Sequence, residues 1–128
     1  MRAAKAIIVA SMLLQAGAAA AAGAVPVVPA GTPYAAARGT LMTKGFRPVP
    51  SGSQNESRCS AGRQDVCAAY PETISCSGSG AAPCRFIFNG PGGLAVTVVA
   101  EGPDVGGLRI TALRRSADTD VRWQKAGR

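Results

Sequence analysis

Four cysteines, Cys59, Cys67, Cys76 and Cys84, punctuate one stretch of this 128-residue chain with seven, eight and seven residues between them. What they can do depends on where the chain works, and the N-terminus bears on that. A charged start (Met1, Arg2, Lys5), an apolar stretch over 6–14 and a run of small residues over 16–24 make an export signal. Outside the reducing cytosol, an even set of four cysteines in a small domain reads as two disulfides rather than as metal ligands or nucleophiles. The expected location is therefore the periplasm or the extracellular medium, and the expected scaffold is covalently stapled.

Cleavage is expected after Ala22 or Ala24, since Ala20-Ala21-Ala22 and Ala22-Gly23-Ala24 both satisfy the small-x-small rule, with the later site favoured. About 105 residues remain, enough for one core. The rival reading is a retained anchor, because residues 6–30 carry no charge. Ser11, Gln15, Pro26 and Pro29 interrupt that run and alanine partitions weakly into lipid, so no stable membrane insertion is expected after cleavage. The absence of a cysteine near the cleavage region argues against a lipid anchor, and the absence of an arginine pair favours general secretion. The 47% apolar content includes the eleven alanines of the removable segment. The large core residues are few, so a covalent staple is physically useful. Removing Arg2 and Lys5 with the signal lowers the net charge from +7 to +5, a basic balance that suits solubility or contact with acidic surfaces.

Residues 25–31 (Val-Pro-Val-Val-Pro-Ala-Gly) read as a Pro-rich linker. A helix is expected from Thr32 as N-cap and Pro33 as first helical residue to a stop at Gly45. Tyr34, Ala37, Arg38, Leu41 and Met42 share one face of it; Gly39 marks either a close strand contact or a tolerated cost. Residues 46–49 form a short extended segment that Pro48 confines to an edge. Residues 50–57 are a polar loop, and 59–84 is dense in small residues, with a short strand over 73–76. Strand, Gly-Pro-Gly-Gly turn and strand follow over 84–88, 89–93 and 94–100, and a third strand over 108–113. Phe86, Phe88, Leu94, Val96, Val98, Leu108 and Ile110 can share the face that the helix covers. The fold expected is α+β: one amphipathic helix on a three- to four-stranded antiparallel sheet, with a disulfide-braced loop region. Its divisions are a signal peptide (1–24), the linker (25–31), the domain (32–113) and a basic flexible tail (114–128).

Pairing Cys59 with Cys67 and Cys76 with Cys84 closes two nine-residue loops, each worth about 2.5 kcal/mol of chain entropy. This neighbour pairing is favoured, and the two other connectivities remain open. Without any histidine or Cys-x-x-Cys, zinc ligation and Ser-His or Cys-His catalysis have no basis, so no metal, cofactor or catalytic residue is expected. Glu72 and Glu101 are the remaining candidates for a hydrolytic carboxylate pair, a weaker reading than solvated loop carboxylates. Ser77-Gly78-Ser79-Gly80 lacks the strand-to-helix context of a phosphate loop, and Pro83 stands where its third glycine belongs. Asn55-Glu56-Ser57 has the form of a glycosylation acceptor. Arg109, Arg114, Arg115, Arg122, Lys125 and Arg128, with Trp123, could grip a polyanion, against the opposing charges of Asp118 and Asp120.

Tyr34-x3-Arg38-x2-Leu41-x3-Gly45-Phe46-x-Pro48, followed by Tyr70-Pro71-Glu72, Cys76-x-Gly78-Ser79-Gly80 and Cys84-x-Phe86, resembles an uncharacterised family of small exported bacterial proteins with four cysteines. The order of elements is also similar, coarsely, to β-lactamase-inhibitor-protein-like and PepSY-like modules, which implies an exported binding or inhibitory role. No activity or functional residue follows from either resemblance. The function expected is a non-catalytic binding or inhibitor-like module of the bacterial envelope. Its disulfide-braced loops would present exposed Arg58, Arg63, Tyr70 and Glu72 to a protein or envelope component. The alternative is a polyanion or envelope-surface binder working through the basic tail.

Overall fold

The structure, a computed structural model, describes residues 24–51, 58–78 and 82–116. In chain order it contains helix α1 (Tyr34–Thr43), strand β1 (Arg47–Pro48), helix α2 (Gln64–Ala69) and strands β2 (Thr73–Cys76), β3 (Cys84–Asn89), β4 (Ala95–Glu101) and β5 (Arg109–Arg115). The strands form one five-stranded antiparallel sheet, so the architecture is α+β with one main helix.

The sheet has one strand more than the highest expected count because two short strands share one edge. Arg47 and Pro48 pair with Asn89 and Phe88 at one end of β3, and Thr73 to Cys76 pair with Phe86 to Cys84 at the other. Pro48 has no N–H to extend the ladder, which suits a strand that stops after two residues at an edge. The other edge of β3 pairs with β4 along its whole length, and β4 pairs with β5.

α1 starts one residue later than its sequence suggests. Pro33, not Thr32, is the N-cap, and it offers no side-chain cap. Thr32 instead donates its hydroxyl to the Pro29 carbonyl at 2.7 Å. The chain before α1 turns at Ala30 and Gly31, where Gly31 takes φ +88°, and is tied to β5: Gly31 N–H donates to the Ile110 carbonyl, and Ile110 N–H donates to that of Thr32. Val25 and Val28, in the Pro-rich segment, pack against the core. The end of α1 follows the sequence closely. Gly45 takes φ +88°, its N–H reaches the Met42 carbonyl, and Phe46 N–H reaches that of Leu41. These two bonds make a Schellman stop, with Phe46 and Leu41 both inside the core.

Tyr34, Ala37 and Leu41 are the buried stripe of α1. They cover a sheet face made by Phe86, Phe88, Val96, Val98, Ala100 and Ile110, with Phe46, Leu94 and Leu108 closing the ends. Burying each large apolar side chain contributes about 1.5–3 kcal/mol. Gly39 faces away from this contact: a Cβ built there meets nothing within 4 Å, so it marks no close strand approach. Ile87 points to the opposite sheet face and forms a smaller cluster with Val49 and Ile74.

Disulfides join Cys59 to Cys67 and Cys76 to Cys84. The first carries α2, a helix whose six residues are too few to show a period in the sequence. Asp65, in its first turn, accepts the Val105 N–H at 2.8 Å and ties α2 to the β4–β5 connection. β5 extends past residue 113, and Ser116 N–H donates to the Ala95 carbonyl. Arg114 and Arg115 are thus strand residues and not the start of a tail. Arg122, Trp123, Lys125 and Arg128 lie outside the described residues, as do residues 1–23, the Asn55-Glu56-Ser57 acceptor and Ser79-Gly80. Among the described residues no helix is long and apolar enough to cross a membrane.

Candidate functional site

Arg38 lies one turn beyond Tyr34 on the stripe of α1 that faces the sheet. A guanidinium beside a core needs an acceptor, because desolvating an unpaired charge is costly. Glu72 supplies it from 34 residues further along the chain. Its Oε1 accepts from Arg38 Nε at 2.6 Å and from the Tyr34 hydroxyl at 2.7 Å. The Glu72 side chain is 0% exposed, against 28% for Arg38. Its Oε2 is also buried and has no hydrogen-bond partner among the described residues.

This pairing sets the protonation of its donors. Burial first, and then the Glu72 charge, raise the Tyr34 phenol far above the ordinary range of tyrosine, so Tyr34 stays a neutral donor. The hydrogen bond to Glu72 is the largest influence raising Arg38 further above its already high value.

The backbone turn that delivers Glu72 also delivers Tyr70 and Pro71. Thr73 donates both its N–H and its hydroxyl to the Tyr70 carbonyl, at 3.0 and 2.7 Å. Arg58 donates to the carbonyls of Thr73 and Pro71 and clamps the same turn from outside. Underneath, Tyr34 stacks on Phe86 with centroids 3.9 Å apart, and Tyr70 meets Tyr34 edge-on at 4.7 Å. The Arg38 guanidinium lies 5.6 Å from the Tyr70 ring centroid, a cation–π contact. One Arg38 Nη1 donor also reaches the Met42 sulfur at 3.7 Å. The result is a surface patch of half-buried Tyr70, Arg38, Met42 and Arg58 around exposed Pro71, all held from below.

Two of the four loop residues expected to be exposed are not. Glu72 is the buried acceptor just described. Arg63 is 1% exposed. It donates Nε to Cys76 Sγ at 3.2 Å, Nη2 to Cys84 Sγ at 3.0 Å and Nη1 to the Gly102 carbonyl. Both charged side chains turned inward because each found hydrogen-bonding groups remote in sequence. Arg58 and Tyr70 are part-exposed and stand at the same turn, while Arg63 belongs to the far end of β3. Tyr34, Arg38 and Met42 carry no site role in the sequence reading. The arginine on an otherwise apolar helical stripe was the available signal that a buried carboxylate must answer it.

The structure does not bring Glu72 and Glu101 together. Ile87 N–H bonds the Glu72 carbonyl, and Ile87 lies opposite Thr97. Glu101 is four residues further along β4, about 13 Å of strand. It is exposed and pairs across to Arg109, whereas the Glu72 carboxylate is turned to α1. Among the described residues no group of three His, Cys, Asp or Glu is placed to hold a metal.

A second feature lies on the sheet face opposite α1. The alternation that turns Phe86, Val98 and Leu113 to the helix puts Arg85, Val99 and Ala112 in a row on the other side, next to Ile87, Thr97 and Arg114. Arg47 opposite Asn89, and Arg109 opposite Glu101, stand on that same face.

No family model, curated protein or solved structure matches the chain.

Proposed function

We propose that this chain is an exported, non-catalytic protein-binding module whose recognition surface is the patch of Tyr70, Pro71, Arg38, Met42 and Arg58. The observation that carries the reading is the Glu72 carboxylate, which spends its charge inward on Tyr34 and Arg38 and so fixes Arg38 against the Tyr70 ring. Tyrosine, arginine and methionine are the residues enriched where proteins bind proteins, and side chains already immobilised lose little entropy on binding. The coarse likeness to exported inhibitory modules and the two disulfides are in keeping with this role. The partner it fits is a protein of the same compartment that offers an apolar ridge for Tyr70 and Pro71, with an acceptor for the outward donors of Arg38.

The test is capture of a protein from the exported fraction on immobilised chain. Tyr70→Ser should reduce retention at least tenfold, because a buried aromatic anchor commonly carries 2 kcal/mol or more, about thirtyfold in affinity. Equal retention by the variant sinks the reading.

The arginine-bearing sheet face supports a second reading, contact with a polyanion through Arg47, Arg85, Arg109 and Arg114, to which the basic residues after 116 would add. Retention on an anionic resin that collapses with salt, and that falls in Arg85→Ser/Arg114→Ser while Tyr70→Ser leaves it intact, favours this second reading over the first.

A further inference from the structure

We infer that the Cys76–Cys84 disulfide is a redox-active site, opened by a dithiol reductant of the exported compartment, with Arg63 as the residue that holds the sulfur anion released. The geometry places one guanidinium on both ends of the bond, Nε on Cys76 Sγ at 3.2 Å and Nη2 on Cys84 Sγ at 3.0 Å. Arg63, Cys76 and Cys84 are each at most 1% exposed. A permanent cation in so dry a place interacts weakly with a neutral disulfide and strongly with a thiolate, so it favours the reduced state. Stabilising the reduced form is what makes a disulfide the more readily opened one.

The exchange balances without any further reagent. One thiolate of the dithiol attacks either sulfur, and the S–S bond breaks with its electron pair leaving on the other cysteine, which becomes a thiolate beside Arg63. The second thiol of the reductant then attacks the mixed disulfide, releasing the first cysteine and closing the reductant into its own disulfide. The reductant loses two electrons and two protons. One proton ends on a cysteine thiol, the other passes to solvent, and one thiolate remains on the guanidinium. Either cysteine can be the leaving group because Arg63 touches both. Cys76 and Cys84 are the last registered pair of the β2–β3 ladder, with exposed Ser77, Gly78 and Pro83 beyond them, so attack on the buried sulfurs requires that end of the ladder to open first. The Cys59–Cys67 bond is the internal reference.

The experiment equilibrates the full oxidised chain with reduced and oxidised dithiothreitol at pH 7, followed by acid quench, alkylation and mass mapping. Cys76–Cys84 should open at a dithiol ratio at least tenfold less reducing than Cys59–Cys67. Arg63→Met should close that gap about tenfold, about 30 mV for a two-electron couple, and Arg63→Lys should retain most of it. Because Arg63→Met also removes a core contact, a second measurement uses the unaltered chain. Iodoacetamide alkylation of the opened pair, followed against pH, should show one thiol reacting with a midpoint below pH 7, under the ordinary thiol value of about 8.5. Opening of both bonds at one ratio, or an alkylation midpoint at or above 8.5, overturns the inference.

Discussion

The pair formed by Glu72 and Arg38 predicts an asymmetry between its two halves. Arg38→Met leaves a carboxylate that is 0% exposed with Tyr34 as its remaining named donor. Stripping a buried charge of its partner costs about 3–5 kcal/mol, and the 28% exposure of Arg38 puts this pair at the lower end, about 3 kcal/mol. Glu72→Gln keeps an oxygen for the Tyr34 hydroxyl and leaves behind an arginine that already touches water. It forfeits only the charge-assisted part of two hydrogen bonds, about 1–2 kcal/mol. The double variant contains no uncompensated buried charge, so it should cost less than the sum of the singles by at least about 1.5 kcal/mol. Urea unfolding at pH 7 without reductant reads all three. With a slope near 1.5 kcal/mol/M, Arg38→Met lowers the midpoint by about 2 M and Glu72→Gln by about 1 M. Equal losses from the two singles, adding within 0.5 kcal/mol in the double, would refute the assignment of Glu72 as a buried charge dependent on Arg38.

The raised Tyr34 phenol predicts an alkaline loss of stability. Below about pH 10 the residue is protonated in both folded and unfolded chains and its contribution is complete; above it only the unfolded phenol ionises, so stability falls by about 1.4 kcal/mol per pH unit. Urea midpoints between pH 9 and 11.5 should show that slope weakened in Tyr34→Phe, and parallel profiles contradict it. Gly39→Ala should stabilise α1 by about 0.5–1 kcal/mol, since its Cβ enters open space and its φ is ordinary, and a lower thermal midpoint would contradict this. Gly90→Ala should destabilise by about 1–3 kcal/mol, because its Cβ would overlap the Phe46 ring, and an unchanged midpoint in urea would show that the ring moves freely. Gly45→Ala should cost about 1–2 kcal/mol from its φ of +88° alone, readable in the same titration, since the nearest atom to its Cβ is at an ordinary 3.4 Å; no loss would place the stop of α1 elsewhere.

What could be read from the sequence was local. The stripe of Tyr34, Ala37 and Leu41, the glycine stop at 45 and the alternation through β3, β4 and β5 are short-range patterns that each element imposes on its own residues. α2 left no such pattern, since six residues with buried Val66 and half-buried Cys67 do not complete two turns. The edge shared by β1 and β2 was hidden because Pro48 explains where one strand stops, not what takes up the pairing after it. The site was least legible. Glu72 and Arg63 stand in polar, small-residue surroundings that read as solvated loop, and their burial is decided by partners across the fold: Tyr34 and Arg38 for one, Cys76, Cys84 and Gly102 for the other. A charge in a loop has the same sequence signature whether it faces water or a waiting counter-group.

The protein-binding role of the Tyr70 turn is tested most directly by a photo-crosslinking residue placed at exposed position 71, compared with the same residue at exposed position 40 on the outer side of α1. The predicted result is one defined adduct from position 71 in the exported fraction, competed away by excess unlabelled chain and not by excess Tyr70→Ser. An adduct formed equally from position 40, or competed equally by Tyr70→Ser, would contradict it.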